Sequence, residues 1–416
     1  MAEPKYRFKR NDGSSFPAWK EMPLGTLVSD NLDPVPTPRE GYRRVGIYCH
    51  AKGTFQEDVP AENVLDVDTM YRIHKDNLIV NITFAWEHAV AIVKPEDEGL
   101  LVSHRFPEYS FNAGQVPGFY KYLVLRPYFR NQLSLASPGG AGRNRVLNKA
   151  QFKKIPVSVP CEEEQQKIAD FLSSVDEVIT ASEEEVANLE TQKKAVMKKI
   201  FSQEVRFKRA DGSDFPEWEE QSFENAFEPL NNNTFSRDML NYDFGPALNI
   251  HYGDILVKYG DVCDIQAEGL PYVNEGISVS KYAYLQDGDI ILADTAEDEA
   301  VGKAVEIINV GDSVVVSGLH TMVCRPKQKY SPKYLGYYMN SPAFHDQLKP
   351  YMQGIKVTSI GRKNIKDVTV MYPSDLEEQR LIAAFLSDFD EAIAAAKKEL
   401  ELWKELKKGL LQQMFV

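Results

Sequence analysis

Residues 7–19 of the chain read RFKRNDGSSFPAW, and residues 206–218 repeat them almost letter for letter as RFKRADGSDFPEW. Ten of the thirteen positions are identical at an offset of 199 residues, which chance does not produce. The 416-residue chain therefore contains an internal repeat with two copies.

A second repeated stretch lies further along each copy. Residues 163–179 read EEQQKIADFLSSVDEVI, and residues 377–393 read EEQRLIAAFLSDFDEAI, now at an offset of 214. The segments between the repeated stretches differ widely in sequence, and they differ in length by 214 − 199 = 15 residues. The order is variable, common, variable, common, which indicates two divergent globular units that are each followed by a near copy of one helix.

Both common stretches open a long apolar pattern with steps of four and three residues. From Ile168, eight of ten such positions are apolar, and from Ile382 nine of ten are. A 3.5-residue period keeps one stripe facing a partner helix, so it predicts a coiled coil. The alternative is a long amphipathic helix packed on its own domain. The predicted helix-pair interface consists of Leu172, Val175, Ile179, Val186, Leu189, Val196, Leu386, Phe389, Ile393, Leu400, Trp403 and Leu410.

Lysine occupies the same late stripe position in both copies, as Lys193 and Lys407. A polar residue at such a position fixes the register of a helix pair, although a lysine stem can also extend its ammonium into water. The stretches at 7–19 and 206–218 are called the lead-ins below. The first helix ends at Phe201, shortly before the second lead-in, and Phe415 would come shortly before the first lead-in if the termini were joined. This circular repeat predicts an antiparallel helix pair about 50–60 Å long with a globular unit at each end.

The variable units combine strand and helix signals. Short apolar runs at 77–82 and 289–294 predict strands, and the Gly-Asp pairs at 253–254 and 288–289 predict turns before strands. Pro127 and Pro342 are typical of a first helical turn. We therefore expect an α+β fold, with two mixed α/β globular domains separated by two long helices that are conserved between the copies and pair as an antiparallel coiled coil in a pseudo-two-fold circular repeat.

Composition excludes several classes of protein. The 43% apolar content is enough for packed cores, and no run of 18 apolar residues predicts a membrane span. The polar N-terminus contains no signal-peptide pattern. The four cysteines form no Cys-x-x-Cys pair, which fits a reducing, cytoplasmic location better than a disulfide or zinc framework.

Charge is distributed unevenly, although 48 basic and 61 acidic residues give a net charge of −13. Residues 101–155 and residues 325–366 each hold nine basic residues and one acidic residue, a net charge of +8. Residues 156–205 hold five basic and eleven acidic residues. Two corresponding basic regions in an acidic chain favour two docking faces for one polyanion, against the alternative of solvated surface charge.

Two glycine-containing loops lie within these basic regions, at 139–145 and 354–363. Glycine permits a close approach of the backbone, and Arg and Asn can pair with guanine and adenine edges. For each residue, a contact to a phosphate or no DNA contact is the alternative to a contact with a base. The predicted DNA-binding residues are Arg143, Asn144, Arg145, Lys149, Lys356, Thr358, Ser359, Arg362 and Lys363.

Signatures of catalysis are missing. The chain has no phosphate-binding loop, because Ala304 follows Gly302-Lys303, and it has no Pro-Pro for an amino-methyltransferase motif. We expect no catalytic residue and no metal ligand. A stand-alone DNA-modifying enzyme and a coiled-coil scaffold that binds only protein remain as rival functions.

On the repeated lead-in and the Pro-…-Glu-Gln-x-x-Ile-Ala-x-x-Leu-Ser helix start, the chain resembles the specificity subunit of type I restriction–modification systems. The resemblance implies target recognition domains at 1–158 and 206–372, and conserved spacer helices at 159–205 and 373–416. Each domain would read one half of a bipartite double-stranded DNA target. The partners implied are two modification subunits, which bind S-adenosylmethionine, and motor–nuclease restriction subunits, which use ATP and Mg²⁺. The chain itself would bind no cofactor.

Overall fold

The structure, a computed structural model, describes residues 3–139, 145–297, 300–354 and 357–416. These residues form two compact units. Unit 1 contains residues 1–183 and 398–416, and unit 2 contains residues 184–397. Unit 1 is therefore discontinuous in sequence, whereas unit 2 is one continuous segment.

Nine α-helices lie in the described ranges. They are α1 (Pro117–Leu123), α2 (Pro127–Leu135), α3 (Lys149–Lys153), α4 (Glu162–Phe201), α5 (Phe223–Ala226), α6 (Tyr252–Val257), α7 (Tyr334–Met339), α8 (Pro342–His345) and α9 (Leu376–Met414). Short 3-10 helices occur at Leu24–Thr26, Ala61–Asn63, Ala85–Glu87, Pro95–Asp97, Arg237–Met239, Asp346–Tyr351 and Arg362–Asn364.

Unit 1 has eleven strands in its described part. They are β1 (Lys20–Pro23), β2 (Val28–Asn31), β3 (Pro34–Pro36), β4 (Gly41–Ile47), β5 (Thr54–Pro60), β6 (Thr69–Arg72), β7 (Leu78–Val80), β8 (Val90–Ile92), β9 (Leu101–Val102), β10 (Glu108–Phe111) and β11 (Pro156–Val159). They form a four-stranded sheet (β2-β10-β7-β8), a five-stranded sheet (β3-β6-β9-β4-β5) and the antiparallel pair β1-β11.

Unit 2 has thirteen strands among its described residues. They are β12 (Trp218–Ser222), β13 (Phe227–Leu230), β14 (Leu240–Asn241), β15 (Leu248–Ile250), β16 (Val262–Asp264), β17 (Tyr272–Val273), β18 (Ile290–Ala293), β19 (Thr295–Ala296), β20 (Ala304–Ile308), β21 (Val315–Ser317), β22 (Thr321–Pro326), β23 (Thr358–Ser359) and β24 (Thr369–Pro373). Its sheets are β13-β22-β18-β20-β16, β14-β17-β15-β21, β12-β24 and β19-β23.

The two longest helices, α4 and α9, are antiparallel within each unit. In unit 1, Lys404 of α9 pairs with Glu183 of α4 at 3.0 Å. In unit 2, Lys397 of α9 pairs with Glu190 of α4 at 2.7 Å. The twelve residues predicted for the interface are all buried or half-buried, while most other helix positions are exposed. The apolar stripe with steps of four and three residues, called the seam below, is thus the face that both helices bury.

The end of each long helix is part of the core of a globular unit. In unit 2, Phe201 packs edge-on against Trp218 and Tyr338, with ring centroids 6.4 and 5.6 Å away. In unit 1, the equivalent Phe415 packs against Trp19 at 6.3 Å and stacks on Phe119 at 5.3 Å. The predicted circular repeat is therefore confirmed, because the chain end rebuilds in unit 1 the contact that the continuous chain makes in unit 2.

Most local predictions in the variable units agree with the structure, and one is wrong. The runs at 77–82 and 289–294 contain β7 and β18, and Pro127 and Pro342 begin α2 and α8. The Gly253-Asp254 pair is not a turn before a strand, because it lies in the first turn of α6. His251 precedes this helix, and its Nδ1 accepts a hydrogen bond from the backbone N–H of Gly253 at 3.1 Å. This side-chain cap overrides the turn preference of the dipeptide.

Candidate nucleic-acid interface and the joints that hold it

The predicted loop of unit 1 leaves α2 and returns beside the end of strand β7. After the loop, the N–H of Leu147 donates to the carbonyl of Ile82 at 2.9 Å, and the N–H of Asn148 donates to the carbonyl of Ala136 at 2.8 Å. The loop base is therefore fixed to the four-stranded sheet. The predicted contacts Arg143 and Asn144 lie outside the described residues.

Arg145 is held inside unit 1 rather than presented to solvent. Its Nε donates to the carbonyl of Ser137 at 3.0 Å, and its Nη2 donates to the backbone and hydroxyl oxygens of Ser134. Its guanidinium also lies 5.5 Å from the ring centre of Trp86. Because most of its donors are used, Arg145 is suited to shaping the loop. No local pattern indicates this role, since Trp86 is 59 residues away in the sequence.

Lys149 is an exposed residue at the first position of α3, where the Asn148 side chain caps the helix. It lines a small cavity of about 60 Å³ together with the exposed side chains of Arg72 and His104. Arg72 and His104 are not among the residues predicted from sequence to bind DNA. Arg72 lies outside the basic region at 101–155, and only the folding of β6 and β9 brings it to this edge.

The predicted loop of unit 2 returns to its sheet in the same way. Ile360 N–H donates to the carbonyl of Asp294 at 2.9 Å, which corresponds to the contact from Leu147 to Ile82 in unit 1. Thr358 and Ser359 form β23 and pair with β19. Thr358 is half-buried and Ser359 is exposed. Lys356 lies outside the described residues.

Arg362 and Lys363 follow on an exposed 3-10 helix, in the position that α3 occupies in unit 1. One Arg362 nitrogen donates to the carbonyl of Leu230 at 3.4 Å, a long contact that leaves its other donors for a ligand. His320, which the sequence analysis did not select, is exposed beside this loop, with Nδ1 3.4 Å from Asp294 and 3.3 Å from the Thr295 hydroxyl.

Some of the basic side chains in the two basic regions are paired with acidic side chains of the same unit. In unit 1, Lys121 pairs with Asp176 and Lys153 pairs with Asp30. In unit 2, Arg325 pairs with the buried carboxylate of Asp289. These cations serve internal contacts, so a residue count overstates the charge that either unit presents to a polyanion.

Each repeated lead-in is attached to a long helix by one buried carboxylate. In unit 1, the Arg7 guanidinium donates through Nε and Nη2 to both oxygens of Glu164, at 3.0 and 2.8 Å. In unit 2, Arg206 makes the same bidentate contact with Glu378 at 3.1 and 2.9 Å. The hydrogen bonds that both arginines donate to these carboxylates raise the pKa of the arginines. Such forked pairs hold their partners in one geometry.

The glutamine that follows each buried glutamate ties the helix start to the globular unit. Gln165 Nε2 donates to the carbonyl of Pro160 at 3.0 Å, and its Oε1 accepts from the N–H of Val116 at 2.9 Å. Gln379 does the same with Pro373 and Ser331. The repeated Pro-…-Glu-Gln pattern therefore consists of residues that build one joint twice.

A third repeated contact lies twelve residues after the buried glutamate of each helix. In unit 1, Asp176 of α4 accepts hydrogen bonds from the hydroxyl of Tyr122 at 2.9 Å and from Lys407 of α9 at 2.5 Å. In unit 2, Asp390 of α9 accepts from Tyr337 at 2.6 Å and from Lys193 of α4. The two seam lysines are therefore both ion-paired across the helix pair.

Electrostatics favours the charged forms of Asp176 and Lys193. Burial opposes ionisation of Asp176, but hydrogen bonds from Lys407 and Lys121 outweigh it and lower its pKa. Burial also opposes the charge on Lys193, yet its neighbours Asp261 and Asp390 raise its pKa. Burial, followed by the adjacent carboxylates, raises the pKa of Tyr122 and Tyr337, so both remain hydrogen-bond donors.

A family model described as the type I restriction modification DNA specificity domain matches residues 65–191 and 255–402, one match in each half of the chain. The chain belongs to this family. It is a type I restriction–modification specificity subunit, and its function is DNA recognition. The rival readings as a protein-binding scaffold or a stand-alone enzyme are not favoured.

Specificity subunits of Methanocaldococcus jannaschii are among the relatives of this subunit. It is 24% identical over 370 residues to the putative type I restriction enzyme MjaX specificity subunit, covering 86% of this chain and 80% of that protein. It is 26% identical over 305 residues to the MjaVIII specificity subunit, covering 70% and 67%.

Two solved structures share the fold of the subunit. A chain from work on complex assembly and conformational transition of the type I R-M system has a TM-score of 0.56 at 17% identity, covering 96% of this chain and 98% of that one. The S subunit of a type I restriction–modification system from M. genitalium has a TM-score of 0.53 at 12% identity, covering 100% and 99%.

Two further observations concern the part of the subunit that the structure describes. His, Cys, Asp and Glu side chains in that part form no group of three or more that could hold a metal ion. Each helix in it is too short or too polar to cross a membrane.

Proposed function

We propose that unit 1 reads one half of a bipartite DNA target and unit 2 reads the other, while α4 and α9 set the gap between the half-sites. One observation carries this proposal: two identical joints attach to the long helices two globular units whose loops differ in sequence. Arg7–Glu164 and Arg206–Glu378 repeat atom for atom, whereas the loops at 139–145 and 354–363 share little beyond glycine and basic residues.

We further propose that the subunit is not itself an enzyme. Two modification subunits would dock on the helices and methylate one adenine in each half-site with S-adenosylmethionine. Motor–nuclease subunits would add the ATP- and Mg²⁺-dependent steps, so these cofactors would belong to the partners and not to this chain. The domain limits 1–158, 159–205, 206–372 and 373–416 complete the proposal, with helices observed from Glu162 and from Leu376.

A domain exchange tests the assignment of half-sites. We expect that replacing residues 20–155 with the corresponding region of a relative changes one half of the methylated sequence and leaves the other half and the gap unchanged. Mapping methylated adenines in a host that carries the modification subunits gives the result. A change in both halves would contradict the two-module assignment. Strand β1 lies inside the exchanged segment, and its partner β11 begins directly after it at Pro156.

Salt dependence tests whether binding is to DNA phosphates at all. In the presence of the modification subunits, affinity for target DNA should fall steeply as the salt concentration rises, because each phosphate contact releases counterions. Affinity that is independent of salt would contradict a DNA interface. A turnover assay of the purified chain alone should give no methylation and no cleavage, and measurable turnover would contradict the non-catalytic assignment.

A further inference from the structure

The aspartates Asp176 and Asp390 stand out because each connects three elements. Asp176 lies on α4 and binds Tyr122 of α1 and Lys407 of α9. Asp390 lies on α9 and binds Tyr337 of α7 and Lys193 of α4. In each unit a single carboxylate thus joins both long helices to the globular domain. We call these two clusters the aspartate nodes.

The nodes are equivalent by sequence as well as by contact. Asp176 and Asp390 are related by the same 214-residue offset as Lys193 and Lys407, because 390 − 176 and 407 − 193 both equal 214. Within each pair, moreover, the residue numbers of the partners add to 583, as antiparallel helices with one register require. Sliding one helix by a heptad would leave each seam lysine without its carboxylate.

The nodes are partly buried. Tyr122 and Tyr337 are each 1% exposed and Lys193 is 8% exposed, whereas the side chains of Asp176, Lys407 and Asp390 are 21%, 25% and 40% exposed. A pair with one buried member disfavours arrangements that leave this member without its partner, because its donor or charge stays desolvated. Such pairs therefore select one geometry among several compact ones. The nodes are better suited to fixing position than to strengthening the fold.

Neutralising groups differ between the nodes, although the core contact is the same. In unit 1, Asp176 has a second cation, because Lys121 donates to it at 2.9 Å. In unit 2, Lys193 has a second anion, since Asp261 accepts from it at 2.5 Å. Each node is thus completed by a residue of its own globular domain. Lys121 lies in α1, and Asp261 lies between α6 and β16.

Each node lies far along the helix from the Arg–Glu joint of the same unit, so it can restrict the angle between domain and helix. Glu164 and Asp176 are twelve residues apart on α4, which corresponds to about 18 Å of helix. The joint, the bridging glutamine and the packed helix ends already attach each domain, and the node adds an attachment about 18 Å from the joint that resists rocking of the domain on its helix. The same spacing separates Glu378 from Asp390 on α9.

We propose that Asp176 and Asp390, with Tyr122 and Tyr337, are positioning residues for DNA recognition, and that they determine how strictly the subunit selects the gap between half-sites. This inference rests on the proposed function, because a gap matters only if each unit reads one half-site. The nodes hold each recognition domain at one angle to the helix pair. Without them, the domains accept half-sites displaced by a base pair.

The test uses Tyr122→Phe and Tyr337→Phe, which keep the ring and remove one hydroxyl. Glu183→Gln and Glu190→Gln are matched controls, because they break interhelical ion pairs with Lys404 and Lys397 and leave the nodes intact. Each variant is assembled with its modification subunits. Binding is measured to DNA with the native gap and with gaps one base pair shorter and longer, and thermal unfolding is followed in parallel.

We expect each Tyr→Phe variant to lose about ten-fold in selectivity for the native gap, which corresponds to about 1.4 kcal/mol, because the hydroxyl donates to a charged carboxylate. Affinity for the native gap should change little, and the two controls should keep wild-type selectivity. Unchanged selectivity in both Tyr→Phe variants would overturn the proposal, as would an equal loss of affinity for all gaps. If the wild-type complex bound no bipartite target, the proposed function would fail instead.

Discussion

Units 1 and 2 are alike where they meet their helices and unlike where they carry their loops. The forked Arg–Glu pair, the bridging glutamine and the aspartate node recur in both. By contrast, the sheets differ in strand number and order, and the loop bases are followed by α3 in one unit and by a 3-10 helix in the other. The contacts that attach each unit to its long helices are thus the same in both units, while the sheets and the loops differ.

The helix that carries the tyrosine of the aspartate node, α1 in unit 1 and α7 in unit 2, shows how far the difference extends into the core. In unit 1, α1 starts with Pro117, and the preceding N–H is satisfied by Gln165. In unit 2, α7 starts after Lys333, and the buried carboxylate of Glu306 accepts from the N–H groups of Lys333 and Gly336 at 2.6 and 2.9 Å. Burial raises the pKa of Glu306 to about 7. Unit 2 keeps the glutamine contact as well, through Gln379 and the N–H of Ser331, so Glu306 adds a cap to the shared contact rather than replacing it.

Shortening both helices would test the shared part most severely. Deleting residues 186–192 together with residues 400–406 removes one heptad from each helix and leaves both aspartate nodes in register. We expect a folded complex with a helix pair about 10 Å shorter, which corresponds to about three base pairs. Methylation of the original target should be lost, and a target with a shorter gap should be gained.

The control for this experiment is a deletion of four residues from each helix, which moves the seam out of phase and should prevent assembly with the partners. Methylated-adenine mapping distinguishes the two cases. Full methylation of the original target by the heptad deletion would mean that the partner subunits, and not α4 and α9, set the gap.

Breaking one joint would show whether the two attachments act independently. Arg7→Ala leaves the buried Glu164 carboxylate without its partner and should destabilise unit 1 by about 3 kcal/mol. Hydrogen exchange should rise in unit 1 and not in unit 2, and Arg206→Ala should give the converse. Arg10→Ala is the control, because its ion pair with Glu163 is exposed and contributes little. Equal loosening of both units by Arg7→Ala would contradict separate joints.

The Glu306 cap should make unit 2 sensitive to pH. The folded state holds this proton up to about pH 7, whereas the unfolded chain releases it near its ordinary pKa of 4.5. Stability from this group is therefore present at low pH and falls by about 3 kcal/mol as pH rises from 4.5 to 7. Glu306→Gln should remove that part of the pH dependence. An unchanged pH profile of unfolding in the variant would show that Glu306 is not the group responsible.

Loop substitutions should have the smallest effects and should separate the two half-sites. Lys149→Ala should weaken binding through the first half-site, and Arg362→Ala or Lys363→Ala should weaken it through the second. A lost phosphate contact lowers the salt slope by about one, whereas a lost base contact costs about 1–3 kcal/mol and relaxes one position. Affinity and salt slope that stay at wild-type values in all three variants would remove these residues from the interface.

Arg145→Ala differs from these loop variants, because the arginine is held by Ser134, Ser137 and Trp86. Its loss should loosen the loop and weaken binding to every base sequence at the first half-site alike. A change in the preferred base at a single position would instead identify Arg145 as a base contact.

Prediction from sequence succeeded where a local or repeated pattern carried the information. The two offsets predicted the repeat, the seam predicted the buried faces of α4 and α9, and Phe415 predicted the closing contact. It failed at Gly253-Asp254 because His251, two residues earlier, is not one of the residue types that usually cap a helix. It failed at Arg145 for a different reason, because its partner Trp86 is 59 residues away. A contact of the second kind depends on the fold of the whole unit and has no local signal.

Chain order adds a consequence for synthesis. Unit 2 is continuous and has all its residues once Lys397 has left the ribosome. Unit 1 begins first but needs Met414 and Phe415 in its core, and the N–H of Tyr6 bonds to the carbonyl of Gln413 at 3.0 Å. The first domain to be translated is therefore the last to be completed. A polypeptide that stops short of residue 413 leaves an open core in unit 1, which marks it for proteases before it can join a complex.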